Sequence, residues 1–447
     1  MLRRSWNRGN SVSESGSGYL RRLGVWDAAM MVVGGIIGAG IFLNPAIVAQ
    51  RTTGAGEVLA VWGLGGLLAL AGALVYAELG ARRPHAGGGY LYLRDAFGPL
   101  VAFLFGWIML AVNYSGSIAA VATTFAIYAC TVAGLGSAWI KPLAVGAILL
   151  LAGINVYGIR TGALLQNVLT VLKLLAVVAV IVAGLFLAAP LLPSPAAAPA
   201  SEAPSFGKAL LPVLFAYSGW FYINNIAGEI RDPQRNIPRA LGLGMLVCAA
   251  CYVLANLAYL RTLGHAGLAA ATAPAATVMQ QAFGSAGAVL IACGIALSTL
   301  GFCNIAILGG ARVFQVMAQD WVFFRAAARL HPRHRSPHVA LAVLALWSAA
   351  LAASGSYGQL LDYSTVGDWL GSAMVVASLF HYRRREPAAG VFRVPGHPVV
   401  PLAFIGAVAF VVISSAIASP RDTLIGLAII AAGVPLYFAW KRWNRGT

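Results

Sequence analysis

Charged side chains are scarce in this sequence of 447 residues. They make up 10% of the chain, whereas a soluble domain carries about 25%. Hydrophobic residues make up 60%, and the mean hydropathy is +0.81. This composition excludes an ordinary cytosolic, fibrous, disordered or disulfide-rich secreted protein. Because runs of about 20 apolar residues suffice to cross a bilayer as helices, we predict an all-α polytopic membrane protein.

Acidic residues are rarer still, since 13 Asp and Glu stand against 30 Lys and Arg, for a net charge of +17. Such an excess could indicate a nucleic-acid-binding surface, but the positions of the cations argue otherwise. With both termini placed in the cytoplasm, 24 of the 30 basic residues fall on the cytoplasmic side and five on the outside. This is the positive-inside bias of membrane proteins. We therefore predict a lipid environment, no nucleic-acid partner, and a location in the plasma (inner) membrane of a bacterium with cytoplasmic termini.

Twelve apolar segments are candidate membrane spans. Their approximate bounds are 26–49, 56–80, 97–130, 138–156, 162–190, 206–228, 238–262, 284–318, 337–355, 357–382, 398–418 and 421–440. They predict a cytoplasmic tail (1–25), a first repeat of five spans (26–190), an external loop (191–205), a second repeat of five spans (206–382), a cytoplasmic loop (383–397), two further spans (398–440) and a cytoplasmic tail (441–447). The apolar run after residue 25 is too long for the hydrophobic part of a signal peptide, so no cleavable signal is expected.

Cysteine is also sparse, with five residues that all fall in apolar spans. Cys248 and Cys251 have C-x-x-C spacing, but no histidine or βαβ pattern accompanies them, so small packing residues are the preferred interpretation. No cysteine falls in a predicted external loop, and no anchor for a disulfide-linked ancillary subunit is evident. The sequence predicts no metal site and no cofactor.

The first span of each repeat is interrupted near its middle. Span 1 contains the glycine-rich run 34–40 (GGIIGAG), and span 6 contains the polar run 217–225 (YSGWFYINN). Close helix packing would explain the glycines alone, but matching interruptions in two halves indicate an inverted-repeat transporter with a site at the midplane. At 1.5 Å per residue, Gly38 and Ser218 each lie about 18 Å into their spans, near the middle of a core about 30 Å thick.

Unwound backbone at that depth must line a cavity or hold a ligand, because its N–H and C=O groups have no partners in lipid. The N–H groups that open the second half of span 1 suit a carboxylate, helped by the positive end of the helix dipole. The freed carbonyl groups of both spans suit an ammonium. A site with these two poles predicts a zwitterionic α-amino acid as ligand.

Eight sequence blocks make the prediction more specific. Three lie in the first hundred residues: GGIIGAGIFLNP (34–45), ALVYAELG (73–80) and HAGGGYLYLRDAFGP (85–99). The others are INVYGIRTGALLQNVLTVLKLLA (154–176), FAYSGWFYIN (215–224), EIRDPQRNIPRAL (229–241), STLGFCN (298–304) and PLYFAWKRW (435–443). Over nearly the whole chain they resemble the amino acid–polyamine–organocation superfamily, in its L-type amino acid transporter branch. The resemblance implies a LeuT-type 5+5 inverted repeat with discontinuous helices 1 and 6, two peripheral helices, and sodium-independent amino acid transport by alternating access.

The resemblance also assigns roles to the residues at the two interruptions. The implied substrate-binding residues are Ile36, Ile37, Gly38, Ala39, Gly40, Phe215, Ala216, Ser218 and Gly219. The amides of 38–40 would hold the substrate carboxylate, and carbonyl groups of Ile36 and of span 6 would hold the amino group. Phe215 would also be the aromatic gate over the substrate, and Trp369 of span 10 would border the side-chain pocket.

The sequence departs from eukaryotic members of that branch at several positions near the implied site. Phe221 and Asp368 stand where some relatives have an amide, and the span 3 stretch 113–116 (NYSG) differs too. These departures concern the preferred side chain of the substrate rather than the backbone recognition. Because no charged side chain falls at the two interruptions, we expect a neutral substrate, since selectivity for a charged one needs a partner charge in the membrane.

Lys173 is the one basic residue in the middle of a span, about 16 Å into span 5. A lysine at that depth costs about 2.5–3.5 kcal/mol on insertion scales, which argues for a function. The resemblance places it where sodium-driven relatives hold a cation, so that its ammonium would bridge carbonyl groups near 34–35 and the hydroxyl of Ser298 or Thr299. We therefore predict that Lys173 makes transport sodium-independent, or alternatively that it carries a coupled proton.

Asp368 is the second ionisable residue at the depth of the implied site, about 16 Å into span 10. Intramembrane carboxylates are functional-site candidates by default. Two interpretations stay open. Asp368 braces span 10 against the polar interruptions, or it is a titrating gate residue that makes transport respond to pH.

The function predicted from all of this is sodium-independent exchange of neutral L-amino acids. Proton-coupled symport is the alternative within the same class. A membrane-embedded enzyme is a distant alternative, because it would need a nucleophile, base or metal constellation. All seven histidines fall in loops or at span ends, and no such constellation can be assembled.

Overall fold

Long apolar segments fold into helices in lipid because a helix satisfies its backbone hydrogen bonds within the segment. The computed structural model describes residues 18–190, 205–354, 357–386, 390–418 and 420–443, in which every named element is a helix. The α-helices are α1 Val25–Ile36, α2 Gly40–Gln50, α3 Ala55–Arg82, α4 Gly88–Phe97, α5 Pro99–Ile108, α6 Tyr114–Ala133, α7 Ile140–Val156, α8 Ile159–Val182, α9 Phe206–Ala216, α10 Tyr222–Asn225, α11 Pro233–Ala270, α12 Pro274–Gln319, α13 His338–Ser354, α14 Tyr357–Arg385, α15 Val399–Ala418 and α16 Pro420–Trp443. π-Helical turns at Met109–Asn113 and Ala183–Leu187 continue α5 and α8.

Each of the twelve predicted spans coincides with a helix or with two helices in sequence. By length and composition, seven of the described helical stretches could cross a membrane, or eight if the bent pair α1–α2 is one span. The segments of α9, α13 and α15 are shorter apolar helices. The protein is therefore an all-helical polytopic membrane protein, and a total of twelve crossings stays a prediction.

Helices five spans apart pack against each other. Helix α3 of span 2 packs on α11 of span 7, α6 of span 3 on α12 of span 8, and α7 of span 4 on α13 of span 9. Two repeats of five spans would place equivalent helices beside one another in this way. The arrangement supports the predicted inverted repeat, which itself stays a prediction.

Helices α11 and α12 are longer than the predicted spans 7 and 8, because both extend into the connection between those spans. Within α11 the backbone leaves helical geometry at Gly264, with φ 65°, and within α12 at Gly284, with φ 63°. Glycine tolerates these positive φ values, which other residues rarely adopt. The kinks lie beside the predicted ends of spans 7 and 8 at 262 and 284.

Candidate functional site

The two helix breaks lie against each other. Helix α1 ends at Ile36 and α2 begins at Gly40 with a bend of 41° between them, while α9 ends at Ala216 and α10 begins at Tyr222. Gly219 has φ +106°, and a Cβ atom there would overlap the carbonyl oxygen of Gly35. A Cβ on Gly35 would lie 2.8 Å from the carbonyl oxygen of Gly219. Only glycine at both positions allows this backbone contact.

A cavity opens where the breaks meet, and most of the predicted site residues line it. These are Ile36, Gly38, Ala39, Gly40, Phe215, Ala216, Ser218, Phe221 and Trp369. The predicted residues Ile37 and Gly219 are not in its wall. Phe215 lies 39% exposed, the most open of the lining side chains, whereas Phe221 and Trp369 are buried. A gate role for Phe215 stays a prediction.

The start of α2 brings backbone N–H donors to the cavity wall. Among the described residues, no backbone carbonyl accepts a hydrogen bond from the N–H groups of Gly38, Ala39 or Gly40. These groups precede or open α2, an 11-residue helix. The partial positive charge at a helix N-terminus, combined with unsatisfied N–H groups, attracts an anion.

Two residues that line the cavity have backbone carbonyl groups that share one tyrosine. The hydroxyl of Tyr252 in α11 lies 3.0 Å from the carbonyl oxygens of both Ile36 and Ala216, so it can donate to either. Each carbonyl oxygen has two lone pairs, and one hydroxyl proton leaves acceptor capacity for a cation. Sequence reasoning missed Tyr252, because nothing distinguishes it from other tyrosines in apolar spans.

Lys173 lies behind the span 1 break and is fully buried. Its Nζ donates to the carbonyl oxygens of Gly34 at 2.8 Å and Ile37 at 2.6 Å. Ser298 of α12 donates to Ile37 at 3.3 Å and to Gly38 at 3.2 Å, so Lys173 and Ser298 share one acceptor. The hydroxyl of Thr299 instead donates to carbonyl groups of its own helix. The contact of Lys173 with Gly34 lies in the expected region, whereas Ile37 was not among the expected partners. Among the described residues, no direct bond from Lys173 to the hydroxyl of Ser298 or Thr299 is found, and its role in coupling stays a prediction.

The π-helical turn in span 3 contributes polar residues that the sequence did not single out as site residues. Asn113 ends this turn, Ser117 follows about one turn later, and both are buried and line the cavity. Among the described residues, no hydrogen-bond partner to either side chain is found. The turn is braced by Ser115, which donates to the Leu110 carbonyl at 2.5 Å, and by Trp347, which donates to the Ala111 carbonyl at 3.2 Å. Single π-turns occur frequently at functional sites because they re-aim one residue.

Aromatic rings form the wall beside these polar groups. Phe221 stacks on Tyr114 with ring centroids 6.3 Å apart, and Trp369 lies 6.1 Å from the ring of Phe404. Phe302 completes this wall. Asp368 lies within α14, but its side chain is outside the described part of the protein, and both interpretations of it stay predictions.

Residues 23–436 match the family described as amino acid permease. This chain belongs to the amino acid permease family. The permease is 30% identical over 433 residues to the serine/threonine exchanger SteT of Bacillus subtilis, covering 95% of this chain and 98% of that protein.

Two mammalian relatives extend the comparison. The b(0,+)-type amino acid transporter 1 of Mus musculus is 30% identical, covering 95% of the permease and 89% of that protein. The large neutral amino acids transporter small subunit 2 of Mus musculus is 31% identical, and the match covers 97% of the permease and 84% of that protein. The family and these relatives are amino acid transporters and exchangers. The permease is therefore an integral, multi-pass transporter of the same superfamily and not an enzyme.

Ion pairs join several helices at one end of the bundle. We call the end of the bundle that carries Gly18–Gly24 the N-terminal face. There Glu229 and Arg312 form an ion pair at 2.9 Å in which both side chains are buried. Glu78 of α3 accepts from Arg82 at 2.7 Å and from Arg383 at 2.5 Å. A buried pair is costly to break, because the remaining charge stays uncompensated.

The chain preceding α1 is fastened to the same face. Leu23 pairs with Ile230 in a single parallel β-bridge, and the N–H groups of Arg22 and Leu23 both lie within 3.0 Å of the Glu229 carbonyl. In the connection between spans 2 and 3, Arg94 pairs with Asp320 at 2.8 Å. Burial alone would lower the pKa of Arg94, but the hydrogen bond and charge of Asp320 raise it. These contacts join the chain before α1 and the connection between spans 2 and 3 to the helices at the N-terminal face.

Proposed function

We propose that the permease exchanges neutral L-amino acids across the membrane by alternating access, without sodium. The observation that carries the proposal is the meeting of two helix breaks at one cavity, whose lining residues supply N–H groups at the start of α2 and backbone carbonyl groups of both breaks. An amino acid zwitterion has charges of the matching signs. The relatives reported above are named as amino acid transporters, and one of them as an exchanger, which supports amino acid exchange by this permease.

The substrate carboxylate would lie at the start of α2. The N–H groups of Gly38, Ala39 and Gly40 would donate to it, and the helix dipole would stabilise its charge. The nearest contact of a Cβ on Gly38 would be the Phe302 ring at 3.9 Å, whereas a Cβ on Gly40 would lie 2.9 Å from the Cβ of Ala216. Gly40 is therefore needed for the approach of the two breaks, and Gly38 borders the space left for the carboxylate.

The substrate ammonium would lie between the carbonyl groups of the two breaks. Ile36 and Ala216 line the cavity and share the Tyr252 hydroxyl. This hydroxyl would hold both oxygens in place while their remaining lone pairs accept from the ammonium. Phe215, at the exposed mouth, would close over the bound amino acid.

The side chain of the substrate would face span 3 and the aromatic wall. Asn113 offers a donor and an acceptor, and Ser117 offers a hydroxyl. No Asp, Glu, Lys or Arg is among the described residues of the wall, which supports a neutral substrate. We infer a preference for small side chains with a hydroxyl or amide, because buried polar groups left unpaired penalise an apolar analogue. The serine/threonine exchanger among the relatives agrees with this preference.

Lys173 would replace a sodium ion at the back of span 1. Its ammonium donates to two carbonyl groups of the break, which is the contact a bound cation would make. A permanent positive charge there would make transport independent of sodium. In the alternative, proton symport, the same lysine would lose its proton during the cycle.

The finer architecture belongs to the same proposal. It comprises twelve spans arranged as a LeuT-type 5+5 repeat with two peripheral helices. The N-terminal face, which carries most of the described basic residues, would be cytoplasmic. The five cysteines are all free in the structure, and we propose that the permease works without a disulfide-linked subunit.

Exchange in proteoliposomes tests the proposal. Vesicles preloaded with unlabelled serine, with unlabelled alanine or with no amino acid would receive radiolabelled serine outside, in sodium or choline buffers and with or without a pH gradient. We expect uptake only into preloaded vesicles, equal in both buffers. Uptake into empty vesicles that follows the pH gradient would favour proton symport, and stimulation by sodium would refute the role of Lys173.

Asn113→Leu tests the side-chain preference in the same vesicles. The substitution keeps the approximate volume and removes both hydrogen-bonding groups, so we expect the ratio of serine to alanine affinity to fall about tenfold. Val121→Ala, at another lining position, is the control and should leave that ratio unchanged. An unaltered ratio in Asn113→Leu would contradict the preference but not the exchange itself.

A further inference from the structure

A second surface of the permease combines exposed aromatic rings with cations. It lies at the N-terminal face, where the turn after α12 contacts the end of α16. The rings of Phe323 and Phe324 lie 5.9 and 4.9 Å from that of Trp440. Around this contact, the exposed side chains are those of Trp321, Phe324, Arg325, Phe438, Lys441 and Arg442. We call these six residues the aromatic–basic edge.

The backbone at Trp321 is unusual for such a large residue. Trp321 has φ 64° and follows α12, with its N–H bonded to Ala318 and that of Val322 to Met317. This is the hydrogen-bond pattern of a helix end at which glycine is the usual residue. A bulky non-glycine residue in the left-handed region is strained, and such strain clusters at functional sites.

The ring of Trp321 stacks against the side chain of Arg325. The guanidinium carbon of Arg325 lies 3.8 Å from the centre of the Trp321 ring, and Trp321 is half exposed. A guanidinium stacked on an aromatic ring holds its positive charge in a defined place at this surface. Lys441 and Arg442 lie in the last turn of α16 and line a shallow groove with Phe438.

We propose that the aromatic–basic edge binds the headgroup of an anionic phospholipid. Tryptophan and phenylalanine would lie at the level of the membrane interface, which aromatic rings favour. The three cations would surround the phosphate, and Phe438 would contact the acyl chains. Basic groups at the ends of membrane helices bind anionic headgroups in this way. A soluble phosphate would use the cations but gain nothing from the exposed rings.

Native mass spectrometry of the full-length permease in detergent tests the assignment. The probes are phosphatidylglycerol and phosphatidylcholine with identical acyl chains. We expect phosphatidylglycerol to bind the wild type at lower concentrations. Arg325→Gln and Arg442→Gln should each weaken its binding about fivefold, since each charge near a headgroup contributes about that much. Equal binding of the two lipids would overturn the proposal.

Matched variants distinguish lipid binding at the aromatic–basic edge from an effect of positive charge in general and from loss of the fold. Arg384→Gln with Arg385→Gln removes two exposed cations of α14 at the same face, for which no aromatic contact is found among the described residues, and should leave lipid binding unchanged. Trp321→Gly should relieve the strain and keep the melting temperature, yet lose the preference for phosphatidylglycerol. Retained preference in Trp321→Gly, or equal loss in the control, would contradict the proposal. Competition by millimolar inorganic phosphate would assign the edge to a soluble anion instead.

Discussion

The two helix breaks are stabilised by different kinds of interaction. The break in span 1 exposes carbonyl groups that side chains of neighbouring helices satisfy: Lys173 bonds Gly34 and Ile37, and Ser298 bonds Ile37 and Gly38. The break in span 6 lies among aromatic rings, with Trp220 4.7 Å from Tyr76. Side chains of neighbouring helices bond the carbonyl groups of the first break directly. The second break is packed among aromatic rings and is followed by buried hydrogen bonds from Asn224 and Asn225.

This difference indicates how the two breaks can share one ligand. Hydrogen bonds from a buried lysine hold two carbonyl groups of span 1, and in the proposed site they would keep the start of α2 in position for a carboxylate. Aromatic packing is less directional, so under the same proposal span 6 would adjust more easily around different substrates. The breaks are coupled at two places, the contact of Gly35 with Gly219 and the hydroxyl of Tyr252.

Gly219→Ala should have the largest effect, because it separates the two breaks. The added Cβ would overlap the Gly35 carbonyl, and alanine disfavours φ +106°. Displacement of a binding group by about 1 Å can cost 100-fold, so we expect exchange in proteoliposomes to fall by at least that much. Gly242→Ala, where a Cβ meets nothing within 4 Å, is the control. Exchange at wild-type rates in Gly219→Ala would place the substrate elsewhere.

Lys173→Met should remove the polar support of the span 1 break while keeping its volume. Two buried carbonyl groups lose a charged donor, and we expect a loss of about 30-fold in exchange rate. The measurement is serine exchange with and without sodium. The control is Lys141→Met, an exposed-face lysine in α7 that the mechanism does not use. If Lys173→Met exchanges normally, the break does not depend on the ammonium.

Tyr252→Phe should weaken both breaks slightly by removing the one hydroxyl that they share. We expect a rise in KM of about tenfold with a smaller change in kcat. The matched control is Tyr259→Phe, since its hydroxyl bonds Ile41 at 3.2 Å, beyond the break. Equal effects of the two substitutions would show that Tyr252 has no special relation to the ammonium site.

Ser298→Ala should give the smallest change, because Lys173 still bonds the Ile37 carbonyl. A loss of about threefold in serine affinity corresponds to one weak neutral hydrogen bond. Thr299→Ala is the neighbouring control, since that hydroxyl bonds only its own helix in the described structure. A larger effect at Thr299 than at Ser298 would reverse the assignment.

Sequence reasoning predicted those parts of the site whose residues are energetically unfavourable in a plain membrane helix. A glycine run at mid-membrane depth, a second interruption with paired asparagines, and a buried lysine each carry a cost that local structure alone does not explain. For this reason the breaks and a contact of Lys173 with span 1 were predictable. Tyr252 carried no such signal, because a tyrosine in an apolar span is compatible with many surroundings. Asn113 belongs to the stretch 113–116 that the sequence marks as a departure near the implied site, but no local pattern indicated that a π-turn would bring it to the cavity wall.

The sequence by itself determined the membrane environment, the helical spans, the two breaks and the family, because hydropathy, backbone hydrogen bonding and local motifs are properties of short segments. Tertiary structure alone decided that Gly35 meets Gly219, that Tyr252 reaches both Ile36 and Ala216, and that a π-turn aims Asn113 at the same space. These contacts join residues far apart in the chain, and each depends on the rotation and depth of a helix among its neighbours. That rotation follows from the packing of the whole bundle, which no single segment specifies.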